Sequence, residues 1–158
     1  MFIKKIKISN EEETKELAKK FIPILKKGDC IALYGDLGTG KTSFTRGLIK
    51  TIGGDKLEVP SPTFTLVQFY ELPEFTLWHF DLYRIKHQEE IYELGWEEAC
   101  HSGVCLIEWP ENAGELLPKD RIEIEIFFDY KENEEETNRI ITIKGLGEME
   151  KRLNEADF

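Results

Sequence analysis

Residues Gly35-Asp36-Leu37-Gly38-Thr39-Gly40-Lys41-Thr42 read G-x-x-x-x-G-K-[ST], a spacing that grips nucleotide phosphates because each position has its own task. The glycines let the backbone curl until successive N–H groups converge on one phosphate, where side chains would obstruct the approach. Lys41 brings an ammonium to the outer phosphates, and Thr42 offers a hydroxyl to Mg2+. The positive end of the following helix adds to the attraction. An apolar strand-like run precedes this loop and a helical pattern follows it, so a glycine-rich turn without ligand is a poor account of the match.

Such a loop needs a carboxylate at the end of a neighbouring strand to hold Mg2+, directly or through water. Two residues qualify: Glu108 after the apolar run Val104-Cys105-Leu106-Ile107, and Asp81 after Phe75-Thr76-Leu77-Trp78-His79-Phe80. Burying either one is expensive unless a cation accompanies it, and either taken alone could instead lie at the surface. With the phosphate loop, a division of labour is expected, one carboxylate fixing the metal and the other orienting the attacking water. Val59-Pro60-Ser61-Pro62-Thr63-Phe64-Thr65 is either a switch loop whose hydroxyls sense phosphate or metal, or a stiff turn between helix and strand. Arg46, Arg84 and Arg139 are candidates for stabilising charge on a transferring phosphoryl group, and a partner could supply one in trans. His79, His87 and His101 have no metal-ligand spacing and read as ordinary core or surface residues.

The elements that must position these residues follow from apolar periodicity. Phe2–Ile8 alternates like a half-buried strand, and Ser9 with Glu12 resembles a capping box ahead of a helix expected from Glu11 to Lys26. Leu17, Phe21, Ile24 and Leu25 form its apolar stripe. Cys30–Tyr34 and Val104–Trp109 read as strands covered on both faces, and Thr42–Ile52 as a helix ended by Gly53-Gly54. Phe64–Leu72 and Phe75–Asp81 read as strands, Gln88–Leu94 and Trp96–Cys100 as short helices broken at Gly95. Arg121–Asp129 and Arg139–Lys144 form a C-terminal β-hairpin around the acidic loop Lys131–Asn138, which is a solvated tip or a partner-binding element. A charged helix closes the chain. The fold class is therefore α/β: a P-loop nucleotide-binding fold with a central sheet and flanking helices, one domain over residues 1–158.

Composition limits the partners. The chain has 158 residues, 21 basic against 31 acidic, and a net charge of −10. That balance repels nucleic-acid backbones, so tight direct binding of tRNA or DNA is not expected. No apolar run reaches the roughly 18 residues a membrane span needs, and the N-terminal alternation of apolar and basic residues lacks the core of a secretory signal. A cytoplasmic location is expected. The odd count of three cysteines, at spacings matching no zinc or redox signature, points to small core residues at Cys30 and Cys105.

Four blocks in order carry a resemblance: the phosphate loop, Ser61-Pro62-Thr63-Phe64-Thr65-Leu66-Val67, His79-Phe80-Asp81-Leu82-Tyr83-Arg84, and Glu108-Trp109-Pro110-Glu111. The chain resembles the TsaE (YjeE) family, the ATPase of bacterial threonylcarbamoyladenosine tRNA modification, over nearly its full length. The resemblance implies slow Mg2+-dependent ATP hydrolysis, ATP or ADP as ligand, and docking onto a TsaB/TsaD-like heterodimer that reaches the tRNA. It implies Lys41, Asp81 and Glu108 as the catalytic set, with Thr42 and Glu108 as Mg2+ ligands and Asp81 positioning or activating water. Asp36, Leu37, Gly38, Thr39, Gly40, Lys41, Thr42 and Ser43 would hold the phosphates. Trp109 would lie beside the nucleotide, Glu11 and Thr14 at its base end, and Arg139 would reach it from the hairpin. Two other readings remain at this point. One is a nucleotide-dependent binding switch with incidental hydrolysis. The other is a small-molecule kinase, disfavoured because the five arginines are scattered rather than clustered in a lid.

Overall fold

The architecture is that of a computed structural model, which describes residues 2–62, 64–129 and 138–156. Seven strands form one mixed sheet in the order β1-β7-β6-β2-β5-β4-β3. In chain order these are β1 Phe2–Ile8, β2 Cys30–Tyr34, β3 Val67–Glu71, β4 Thr76–Asp81, β5 Val104–Glu108, β6 Arg121–Phe128 and β7 Arg139–Leu146. Strands β4, β5, β2 and β6 run parallel, while β3, β7 and β1 pair antiparallel at the two sides. The β6–β7 hairpin is thus present, and it separates β1 from β2 although those two are consecutive in the chain. Residues 130–137, where the acidic loop was expected, lie outside the described residues, as does Thr63 of the expected switch loop.

The continuous apolar runs follow from coverage on both faces. Ile31 and Leu33 of β2, with Val104 and Leu106 of β5, join the core formed with helices α1 (Glu11–Lys19), α2 (Lys41–Gly53) and α5 (Glu148–Glu155). Cys30, Cys105 and Ile107 face the opposite core, built with α3 (Glu89–Tyr92) and α4 (Trp96–Ser102). Cys30 and Cys105 are register partners and fully buried, as their apolar surroundings predict. On β6 the pattern alternates, because Ile122, Ile124 and Ile126 are buried while Arg121, Glu123 and Glu125 lie on the other face.

One expectation fails in an instructive way. The first helix does not run to Lys26: α1 ends at Lys19, and Ile22–Ile24 form a separate 3-10 turn. Pro23 is the cause, since its ring has no N–H to donate and collides with the carbonyl four residues back. Phe21 and Leu25 are buried nonetheless, so the apolar stripe survives the break. The cap is also shifted by one residue: Asn10 Oδ1 accepts from the Glu13 amide at 2.9 Å, and Glu13 Oε2 accepts from the Ser9 amide at 3.1 Å. The same reciprocal logic operates, with Asn10 and Glu13 in place of Ser9 and Glu12.

Candidate functional site

Strand β2 ends at Tyr34, and the chain turns through the glycine-rich loop into α2, whose first residue is Lys41. The turn demands glycine at Gly35 in particular. Its φ is +149°, and a Cβ there would stand 2.6 Å from the Ile126 carbonyl oxygen and 2.7 Å from Thr39 Oγ1. Gly40 caps the helix in the left-handed region at φ +118°, where a side chain is strained. Inside the loop, Thr39 is buried and its hydroxyl donates to the Asp36 carbonyl at 3.0 Å, bracing the curve.

The loop opens onto a cleft of about 370 Å3. It brings together Lys41, Thr42, Asp81, Glu108 and Trp109, and Glu11, Thr14, Ser43, Ser61 and Arg139 also line it. Leu37, Gly38 and Gly40 line it as well, whereas Asp36 and Thr39 contribute to the turn without lining the cleft. Of the other candidate arginines, Arg46 donates to the Val59 carbonyl at 2.8 Å and Arg84 stacks over the exposed Phe64 ring; neither lines the cleft. Among the described residues of the 59–65 loop, Ser61 lines it.

The carboxylates arrive from strand ends. Asp81 and Glu108 are register partners on β4 and β5 and both are buried. Asp81 Oδ1 accepts from the Tyr83 amide at 3.0 Å, which orients the carboxylate. Glu108 meets the Thr42 hydroxyl at 3.3 and 3.4 Å through its two oxygens, and its Oε2 lies 2.5 Å from His79 Nε2. The sequence alone makes His79 an ordinary core or surface residue, and it is indeed buried. The signal that could have singled it out is its position two residues before Asp81 on the same strand face.

Lys41 donates to the Gly35 carbonyl at 2.6 Å, and its ammonium stands 3.8 Å from the centre of the Trp109 ring. Burial lowers its pKa from the ordinary lysine value, opposed by the carboxylates of Glu108, Glu111, Asp81 and Asp36. Backbone strain gathers here too. The non-glycine residues with positive φ among those described are Leu66, at +69°, and Trp109, at +57°. Leu66 holds the Asp81 amide through its carbonyl, and Trp109 directly follows Glu108. Strain of this kind persists where the surroundings over-determine it, which is common at ligand sites.

These features fit a magnesium nucleotide. Four carboxylates act on the Lys41 ammonium, so a triphosphate would meet excess negative charge unless a divalent cation joined it. A threonine hydroxyl beside a carboxylate is a hard-oxygen donor pair suited to Mg2+, which in phosphate sites is held by one or two carboxylates plus waters and substrate oxygens. Also lining the cleft, Thr14 Oγ1 is buried with no hydrogen-bond partner among the described residues. A buried hydroxyl left unsatisfied by the protein is suited to a ligand atom. Glu11 accepts from the Ser43 hydroxyl at 2.9 Å, tying the start of α1 to the start of α2, and Arg139 Nη2 reaches the Gly38 carbonyl at 3.5 Å.

Comparison with known proteins shows the family. Residues 8–140 match the family described as "Threonylcarbamoyl adenosine biosynthesis protein TsaE". A tRNA threonylcarbamoyladenosine biosynthesis protein TsaE of Rickettsia bellii is 50% identical over 119 residues, covering 75% of this chain and 83% of the relative. The protein of the same description from Bacillus subtilis is 43% identical over 118 residues, 74% of this chain and 73% of the relative. The crystal structure of YdiB from Bacillus subtilis superposes with a TM-score of 0.75 at 32% identity, covering 99% of this chain and 97% of that one. No helix among the described residues is long and apolar enough to cross a membrane.

Proposed function

The chain belongs to the TsaE family of tRNA threonylcarbamoyladenosine biosynthesis proteins, and from that premise we propose that it is a Mg2+-dependent ATPase subunit of that pathway, one P-loop domain over residues 1–158, acting with a TsaB/TsaD-like heterodimer in the cytoplasm. The observation that carries the reading is the convergence of Lys41, Thr42, Asp81 and Glu108 on one cleft beside a glycine-rich loop that opens a helix.

The reaction is ATP plus water to ADP plus inorganic phosphate. The loop amides and the N-terminus of α2 bind the phosphates, and Lys41 leaves the Gly35 carbonyl for them, a better partner for an ammonium than a neutral oxygen. Mg2+, when bound, would neutralise phosphate charge from its place at Thr42 Oγ1 and Glu108. Asp81 accepts a hydrogen bond from the attacking water, aligning it with the γ-phosphoryl group and taking up its proton. Glu11, Thr14 and Arg139 line the cleft and would meet the base and sugar, while Trp109, whose ring lies under the Lys41 ammonium, would lie beside the phosphates. The net charge of −10 is compatible with a subunit that leaves tRNA to its partners.

Phosphate release from ATP tests this, measured for the chain alone and with the TsaB/TsaD-like pair. Release that is slow alone and rises on docking supports the reading. Transfer of the γ-phosphate to a small acceptor instead would replace it with a kinase. Docking controlled by ATP without release would leave a binding switch.

A further inference from the structure

His79 is a fully buried titratable side chain behind the cleft, and the reaction as proposed gives it no task. It shares a face of β4 with Leu77 and Asp81, because side chains two residues apart on a strand point the same way. Its Nε2 lies 2.5 Å from Glu108 Oε2. A carboxylate only accepts, so Nε2 carries the hydrogen and donates. The other nitrogen, Nδ1, is buried with no hydrogen-bond partner among the described residues. As packing this is a poor choice: an apolar side chain like the neighbouring buried Leu77 would fill the space and leave no polar atom unsatisfied.

What the ring does accomplish is selective. The Thr42 hydroxyl approaches both Glu108 oxygens almost equally, at 3.3 and 3.4 Å, and so does not choose between them. His79 touches only Oε2. We propose that His79 is a positioning residue whose Nε2–H holds Oε2 of Glu108, thereby presenting Oε1 to the Mg2+ that accompanies the nucleotide. This rests on the magnesium-nucleotide reading of the cleft. Groups that hydrogen-bond a metal-ligating carboxylate fix its orientation, and losing one commonly weakens metal binding about 10–100-fold.

The test measures ADP binding by calorimetry across a series of Mg2+ concentrations, so no turnover is needed. His79→Leu is expected to raise the half-saturating Mg2+ concentration about 10–100-fold, with ADP affinity in EDTA unchanged. His79→Gln, whose amide nitrogen can stand where Nε2 stood, is expected to restore most of the parent requirement. A Leu variant with the parent's Mg2+ requirement, or a Gln variant as poor as the Leu one, overturns the proposal. Should the variants fail to fold, nitrogen-15 NMR of histidine in the unaltered chain decides. The expected result is an Nε2–H tautomer whose resonance moves when Mg2+ is added to the ADP complex; an Nδ1–H tautomer, or no movement, overturns it. If the unaltered chain binds no ADP at any Mg2+ concentration, the nucleotide reading falls and takes this proposal with it. A normal parent with an unaffected Leu variant removes the positioning role alone.

Discussion

Asp81 and Glu108 sit opposite each other in register at the carboxyl ends of two adjacent parallel strands, and each is held by different partners. Asp81 is oriented by the amide of Tyr83, Glu108 by the Thr42 hydroxyl and the His79 ring. Two carboxylates at one strand level with separate anchors are suited to separate tasks.

Their variants should therefore behave differently. Asp81→Ala keeps Mg·ADP bound and loses about 10²–10⁴ of the hydrolysis rate, the usual worth of a positioned proton acceptor. Glu108→Ala shifts the half-saturating Mg2+ concentration for ADP binding upward by at least about tenfold. Calorimetry at several Mg2+ concentrations, paired with single-turnover phosphate release, separates them. Identical behaviour of the two variants would refute the division of labour.

Lys41 should make nucleotide affinity sensitive to alkaline pH. Because burial lowers its pKa, its charge is lost sooner in an alkaline titration than that of an exposed lysine, and phosphate attraction goes with the charge. ADP affinity should fall as pH rises toward the ordinary lysine value of 10.5. Lys41→Ala should lower affinity at neutral pH about 10–100-fold, corresponding to a hydrogen bond to a charged group of about 1.5–3 kcal/mol, and should flatten the pH profile. An equally steep profile in the alanine variant would assign the dependence to another group.

Thr14→Val separates stability from binding. The Thr14 hydroxyl is buried and unsatisfied by the described residues, so removing it should leave unfolding free energy unchanged or raise it by up to about 1 kcal/mol. Nucleotide affinity should fall. A variant that loses stability while binding normally would mean that the hydroxyl serves the fold. Urea unfolding and ADP titration on the same preparation decide.

Arg152 clamps α5 to the start of β2. Its Nη1 donates to the Ile24 carbonyl at 3.1 Å and makes a short hydrogen bond to Asp29 Oδ2. Burial of Asp29 raises its carboxyl pKa, against the Lys26 amide and Arg152, which lower it. Arg152→Ala should destabilise the chain by about 1–3 kcal/mol at pH 8, because the carboxylate stays buried and loses a partner. Removing the arginine raises the Asp29 pKa further. The folded state then binds protons more readily than the unfolded state, whose Asp titrates near 3.8, so the variant's stability should increase as pH falls from 8 toward 5. A deficit that grows on acidification contradicts this. Thermal unfolding at the two pH values measures it.

Much of the site could be read from the chain alone because its parts are local. The proposed phosphate loop is eight consecutive residues whose backbone would do the binding, and Asp81 and Glu108 each terminate an apolar run that a buried strand explains. Cys30–Tyr34 matched β2 residue for residue for the same reason. The first helix is shorter than its apolar spacing predicts, because Phe21 and Leu25 keep the helical period while Pro23 between them lacks the N–H that a continuous helix needs.

What depended on tertiary structure was everything set by adjacency across the sheet. Strand order is not written in any one segment: β6 and β7 lie between β1 and β2, which brings Arg139 to Gly38 and closes one wall of the cleft from far along the chain. The meeting of Glu11 with Ser43, and of His79 with Glu108, likewise needs strands and helices packed in one arrangement. Local sequence determines which backbone can cradle phosphate and which strands are buried, since both are short-range consequences of sterics and apolar pattern. It does not determine which side chains then face one another, because that follows from hydrogen-bonded register and helix packing between segments that only the folded chain brings together.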